Sequence, residues 1–200
     1  MAKANWINVT PPSGSGNGTV NVSSTAEHTG RNARTTTLTW KSANVADVVR
    51  TVSQAGKPEY VDIADSASAE KVGSVVTITG ESNSAKLTFT LGTGDLNVTL
   101  PSTYTANSVS TSNGASITGD PGATKMYTFS ISINVPANND VTEKSRQIIV
   151  MDNAGNRDVC TLRSAAGDAY VIVAEGTIEL NYKGDAVAVS VESNTNWTVE

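Results

Sequence analysis

The residues able to do chemistry are few and scattered. His28 is the single histidine and Cys160 the single cysteine. His28 stands in Thr25-Ala26-Glu27-His28-Thr29-Gly30, which reads as a strand end or turn. Cys160 stands in the strand-like run Arg157-Asp158-Val159-Cys160-Thr161-Leu162 and reads as a small core thiol. No Gly-x-Ser-x-Gly elbow occurs. The acidic residues fall mostly in turns and strand ends, and nothing singles out a pair for glycoside chemistry. One His and one Cys leave no ordinary zinc site and no disulfide framework within a chain. Asn138-Asn139-Asp140 and Asp152-Asn153-Ala154-Gly155-Asn156 carry oxygens suited to calcium, but not at EF-hand spacing, and turns use the same residues for backbone reasons. The expectation is a non-enzymatic chain with no catalytic residue, cofactor or metal.

What remains is contact chemistry. An exposed indole or phenol stacks on a sugar face, whereas a buried one fills a core. Trp6 and Trp197 sit at repeated positions and are expected in the cores of their own units. Trp40 is in phase with Leu38 and is expected there too. Its size, where β-branched residues are more usual, also makes it the first candidate for a binding surface. Tyr104 and Tyr127 bracket a Ser/Thr/Asn/Gly-rich stretch, 105–124. That stretch is a candidate projecting loop toward a partner or glycan, the alternative being a solvated loop. Arg34 and Arg146 recur near strand starts and are expected to be structural, pairing a carboxylate or bonding loop carbonyls.

The elements that must position these residues follow from composition. Thr, Ser and Asn together make 66 of the 200 residues, and Val makes 23. Thr and Val favour strands, while Ser and Asn favour turns. The net charge of −5 offers no basic footprint for nucleic acid, and no run of 18 apolar residues suits a membrane helix. The start Met1-Ala2-Lys3-Ala4-Asn5-Trp6 has no charged region leading into an apolar stretch, so a cytoplasmically made protein is expected.

Apolar–polar alternation recurs at short intervals. It predicts strands over 19–23, 35–40, 45–52, 75–79, 85–91, 96–100 and 126–135, then over 147–151, 157–162, 170–173, 178–182 and 187–191. Ser13-Gly14-Ser15-Gly16-Asn17-Gly18, Asp120-Pro121-Gly122 and Asn153-Ala154-Gly155-Asn156 must turn. No stretch keeps a 3.6-residue period. The fold class is all-β, an antiparallel sandwich or barrel.

An internal repeat organises the chain. Arg34 leads to Val52-Ser53-Gln54-Ala55-Gly56, and Arg146 leads to Arg163-Ser164-Ala165-Ala166-Gly167, with Arg-to-Gly spacings of 22 and 21. Each Gly precedes a short apolar run, Tyr60 to Ile63 or Tyr170 to Val173. Val76-Thr77-Ile78 and Ile178-Glu179-Leu180 suggest a period of 102. The expected domains are 1–58, a sandwich lacking its opening strands; 59–173, a complete diverged one; and 174–200, the opening of a third or a strand-exchanging tail.

Trp6-Ile7, Pro12-Ser13-Gly14-Ser15-Gly16-Asn17-Gly18, Val20-Asn21-Val22, Arg34 and Val52-Ser53-Gln54-Ala55-Gly56 together resemble a BACON domain. In the second copy Leu96 stands for the Trp and Ala165 for the Gln. The resemblance implies tandem Ig-like β-sandwiches of two settings. One is the virion surface of crAss-like Bacteroides phages, as head fibres or capsid decoration, made in the host cytoplasm. The other is Bacteroidetes cell-surface or secreted glycan-handling proteins, where such domains bind carbohydrate or act as spacers. The expected partners are capsid or other virion proteins, further copies of the chain as a homo-oligomer, and bacterial surface glycans, with no nucleic acid and no membrane.

Overall fold

A computed structural model describes residues 3–174 and 176–200. It is all-β, with several antiparallel sheets. The fold is anchored by a central unit in which two sheets face each other across one core. The first sheet joins β5 (Val61–Ile63), β7 (Ser74–Ser82), β9 (Thr103–Ala106), β10 (Val109–Ser112) and β11 (Tyr127–Val135), in the order β10-β9-β11-β7-β5. The second joins β6 (Ser66–Ala69), β8 (Leu87–Gly94), β12 (Lys144–Asp152) and β13 (Arg157–Ser164), in the order β6-β13-β12-β8.

Alternation explains the packing. Along β11, Tyr127, Phe129, Ile131, Ile133 and Val135 point inward and their neighbours outward, as a period of two requires. Ile148 and Val150 of β12 and Cys160 and Leu162 of β13 close the core from the other sheet. Phe89 of β8 reaches across, its ring 5.8 Å from Phe129 and 5.0 Å from Tyr104. The pairing is antiparallel except between β6 and β13, which run parallel over Ser66–Ala69.

Two smaller pieces flank this unit. Residues 3–58 form two hairpins, β1 (Ile7–Thr10) with β2 (Asn21–Ser24) and β3 (Arg34–Trp40) with β4 (Val48–Gln54). Residues 168–200 form one short pair, β14 (Val171–Val173) with β15 (Val191–Ser193). The hydrophobic cluster draws all its members from the central unit.

Three expected strands are absent as strands. Leu96–Leu100 crosses the sheet end: the N–H of Leu96 donates to Ser145, and its carbonyl accepts from Arg146. Ile178–Tyr182 and Val187–Val191 have no ladder apart from Val191. A strand needs a neighbour to take its backbone groups, and among the described residues no strand pairs along these segments beyond Val191.

Candidate functional site

Among the described residues no group of three His, Cys, Asp or Glu is placed to hold a metal. Asn138 is buried and its amide donates to the carbonyls of Thr142 and Ala165, while Asp152 accepts from Asn156, so both oxygen-rich stretches serve as backbone braces. No helix among the described residues is long and apolar enough to cross a membrane. Cys160 is fully buried, and burial aided by Asp65 and Asp158 pushes its thiol up to about 11.

The aromatic candidates separate. Tyr104 and Tyr127 are 3 % exposed, so neither ring reaches a partner. They lie on inward positions of β9 and β11, and the Tyr127 hydroxyl donates to the Ser84 carbonyl at 2.8 Å. The stretch between them folds back as β10 and the 3-10 turn Pro121–Ala123 instead of projecting as a bare loop. Trp6 is half-buried beneath the Arg34 guanidinium, 4.5 Å from the ring centroid. Trp197, expected in a core, is 50 % exposed. Trp40 is 41 % exposed and lies over a shallow groove floored by Val9, Pro12, Ser13 and Gly14.

The most developed polar assembly is one that sequence reading missed. It is the junction between residues 3–58 and the central unit, and Asn83 is its centre. This side chain is fully buried. Its Nδ2 donates to the carbonyls of Thr29, Lys57 and Pro58 at 3.2 Å, and its Oδ1 accepts from the N–H of Tyr60 at 3.0 Å. The Ser82 hydroxyl donates to the Tyr60 carbonyl and accepts from the Ser84 N–H. Arg31 donates to the Asn83 carbonyl and pairs with Glu59 and Asp120. The Asp120 carboxylate holds the Arg31 guanidinium above its ordinary pKa. The N–H groups of Arg31 and Asn32 donate to Gly122 and Ala123 at 2.9 and 3.0 Å, so the 3-10 turn docks against this loop.

The same assembly recurs at the other end of the central unit. Asn194 donates to Asn139 and Asp168 and accepts from the Tyr170 N–H at 3.0 Å. Ser193 donates to the Tyr170 carbonyl and accepts from the Thr195 N–H. The linker bond from Lys57 N–H to the Gly30 carbonyl returns as Gly167 N–H to the Asp140 carbonyl. His28 matches Asn138: each is buried and donates to the carbonyl four residues on, of Asn32 and Thr142. Strand pairing agrees, Val61 opposite Ser82 and Val171 opposite Ser193. Gly73 and Gly184 both turn at positive φ, 79° and 75°.

These pairs correct the repeat. Glu81-Ser82-Asn83-Ser84 and Glu192-Ser193-Asn194-Thr195 lie 111 residues apart, whereas Val76 and Ile178 are not equivalent. Arg34 and Arg146 are not one position either. Arg34 pairs with Gln54 as Lys144 pairs with Ser164, so Arg146 lies two residues further along the strand. Residues two apart share a strand face, which is why both guanidiniums reach the crossing segment. Arg34 lies over Trp6 and bonds the Gln54 amide, while Arg146 donates to the carbonyls of Leu96 and Gly92. Among the described residues neither pairs a carboxylate. Leu96 in turn matches Ile7, through Ile7-Asn8-Val9-Thr10 and Leu96-Asn97-Val98-Thr99, and both are 2 % exposed. A shared motif of three or four residues was the signal available, and the abundance of Ser, Thr and Asn hid it.

Neither family models nor curated proteins give a match to this chain.

Proposed function

We propose that the protein is a non-enzymatic structural array of tandem Ig-like β-sandwiches of the BACON type. Its work is rigid spacing and display on a surface, as a head fibre or decoration protein of a phage virion. The single observation that carries this reading is the repeated junction centred on Asn83 and Asn194. A linker held only as a tether needs no buried side chain bonding four backbone groups. A linker whose Lys57 and Tyr60 N–H groups and Lys57, Pro58 and Tyr60 carbonyls are tied fixes one unit against the next. The test is immunogold labelling and mass spectrometry of virions. Label on the particle surface supports the virion setting. Absence from purified virions, with the protein on a bacterial envelope, replaces it with the cell-surface spacer setting.

A second reading is weak contact with bacterial surface glycans, and the half-exposed Trp40 over its Pro-Ser-Gly groove favours it. Titration with host polysaccharide, read by tryptophan fluorescence and compared with Trp40→Ala, tests it. A saturable change lost in the variant supports glycan contact, and no change removes it.

A further inference from the structure

The two flanking pieces are the two halves of one repeat. Residues 170–200 reproduce the opening half of the central unit, as the junction bonds, the strand register and the positive-φ glycines show. Residues 7–58 reproduce its closing half. β3 and β4 pair Arg34 with Gln54 as β12 and β13 pair Lys144 with Ser164, and β2 runs into the His28 loop as β11 runs into the Asn138 loop.

In the central unit these halves are joined by three ladders. β7 lies antiparallel to β11 over nine residue pairs, β6 lies parallel to β13, and β8 lies antiparallel to β12. Among the described residues each flanking half is without such partners and exposes most of the side chains that the first two ladders would cover; the counterpart of β8 starts only at residue 198, so the third ladder has no match in 170–200. In register, Leu38 and Trp40 stand where Ile148 and Val150 are fully buried; Leu38 is itself buried, at 7 % exposed, whereas Trp40 is 41 % exposed. Val20 and Val22, on the strand that matches Ile131 and Ile133, are 37 % and 40 % exposed. On the other half, Val187 and Val189 match Val76 and Ile78, and Leu180 matches Ala69; all three are exposed here and buried there.

We propose that this 200-residue polypeptide associates head to tail, the half-sandwich 170–200 of one copy completing the half-sandwich 3–58 of a second copy. The two halves cannot meet within one chain. They dock at opposite ends of β7 and β11, beside Ser82–Tyr127 and beside Ser74–Val135, and nine strand residues span about 30 Å. The contact is heterologous, so it closes into a ring or runs on as a filament. It joins the halves by strand addition: residues 177–180 against β4 and residues 185–193 against β2. Trp40 is then interface core, not a sugar platform. The association goes beyond the spacer reading, which stands or falls on the junctions alone.

The test is light-scattering mass of the 200-residue chain and two variants, Trp40→Glu in one half and Val189→Glu in the other. Both positions are exposed in the single chain, so the central unit keeps its thermal transition, checked by circular dichroism. The expected result is concentration-dependent association of the parent and a monomer mass of 20.7 kDa for each variant. An equimolar mixture of the two variants restores one good interface and gives a dimer and nothing larger. A parent that stays monomeric overturns the proposal. So do variants that associate like the parent, and so does a mixture that stays monomeric.

Discussion

At the residue scale, buried amides and tied linkers carry the account. Asn83→Ala strands the Tyr60 N–H and the carbonyls of Thr29, Lys57 and Pro58 in a fully buried site. An unsatisfied buried group costs about 1–3 kcal/mol, and relaxation shares the loss, so Asn83→Ala is expected to destabilise by about 3 kcal/mol in urea unfolding. Asn194 makes three such bonds at a half-exposed site, and there water replaces them, so Asn194→Ala costs about 1 kcal/mol. Cys160 offers a check on the core. Its thiol is buried and held well above the ordinary cysteine range, so a thiol reagent in neutral buffer leaves it unmodified until denaturant is added. Rapid labelling of the folded chain would contradict the packing of β13.

At the element scale, close approach sets the rules. A Cβ on Gly122 would lie 2.0 Å from the Asn83 carbonyl oxygen, and one on Gly30 would lie 2.3 Å from the Thr124 carbonyl carbon. Gly122→Ala must therefore push the 3-10 turn off the junction, at a cost of about 1–3 kcal/mol. Gly18→Ala, with open space around it, is the neutral control. At the far end of the sheet, Asp95 accepts the Ser145 N–H at 2.8 Å, which holds its carboxyl below the ordinary aspartate value. A depressed folded pKa gives stabilisation that is present above the unfolded value and lost as pH falls through the folded one. A carboxyl titration by NMR is expected to place Asp95 below the free-aspartate midpoint, and Ser145→Pro, which removes the N–H, to return it upward. The strands themselves were legible where alternation met a partner. β11, β12 and β13 fall within a few residues of their predicted ranges, because their inward Ile, Val, Phe and Leu alternate with polar residues. Residues 178–182 and 187–191 alternate just as well, yet form no ladder apart from the pair Val173–Val191. Alternation specifies a face, and only a neighbouring strand makes it a sheet.

At the scale of the whole molecule, the sequence suggests an internal repeat with a period of 102, whereas the junctions repeat at 111. The eye follows Trp, Arg and Gly, which drift by two or more residues between copies. The structure follows Asn83 and Asn194, short polar residues in a chain full of them. The site was less legible than the fold for the same reason. Tyr104 and Tyr127 flank a polar stretch and read as contact residues, but strand phase turns both inward. Trp40 is readable as core or as surface because it is core by register and surface by the absence of its cover. The central claim is that Asn-centred junctions lock successive units into one body. The direct measurement is 15N relaxation across residues 29–165 of the Trp40→Glu variant. The account predicts one correlation time for 29–58 and the central unit, with linker order parameters at 57–60 of about 0.85, like the strands. Separate correlation times, with linker order parameters below about 0.6, would contradict it.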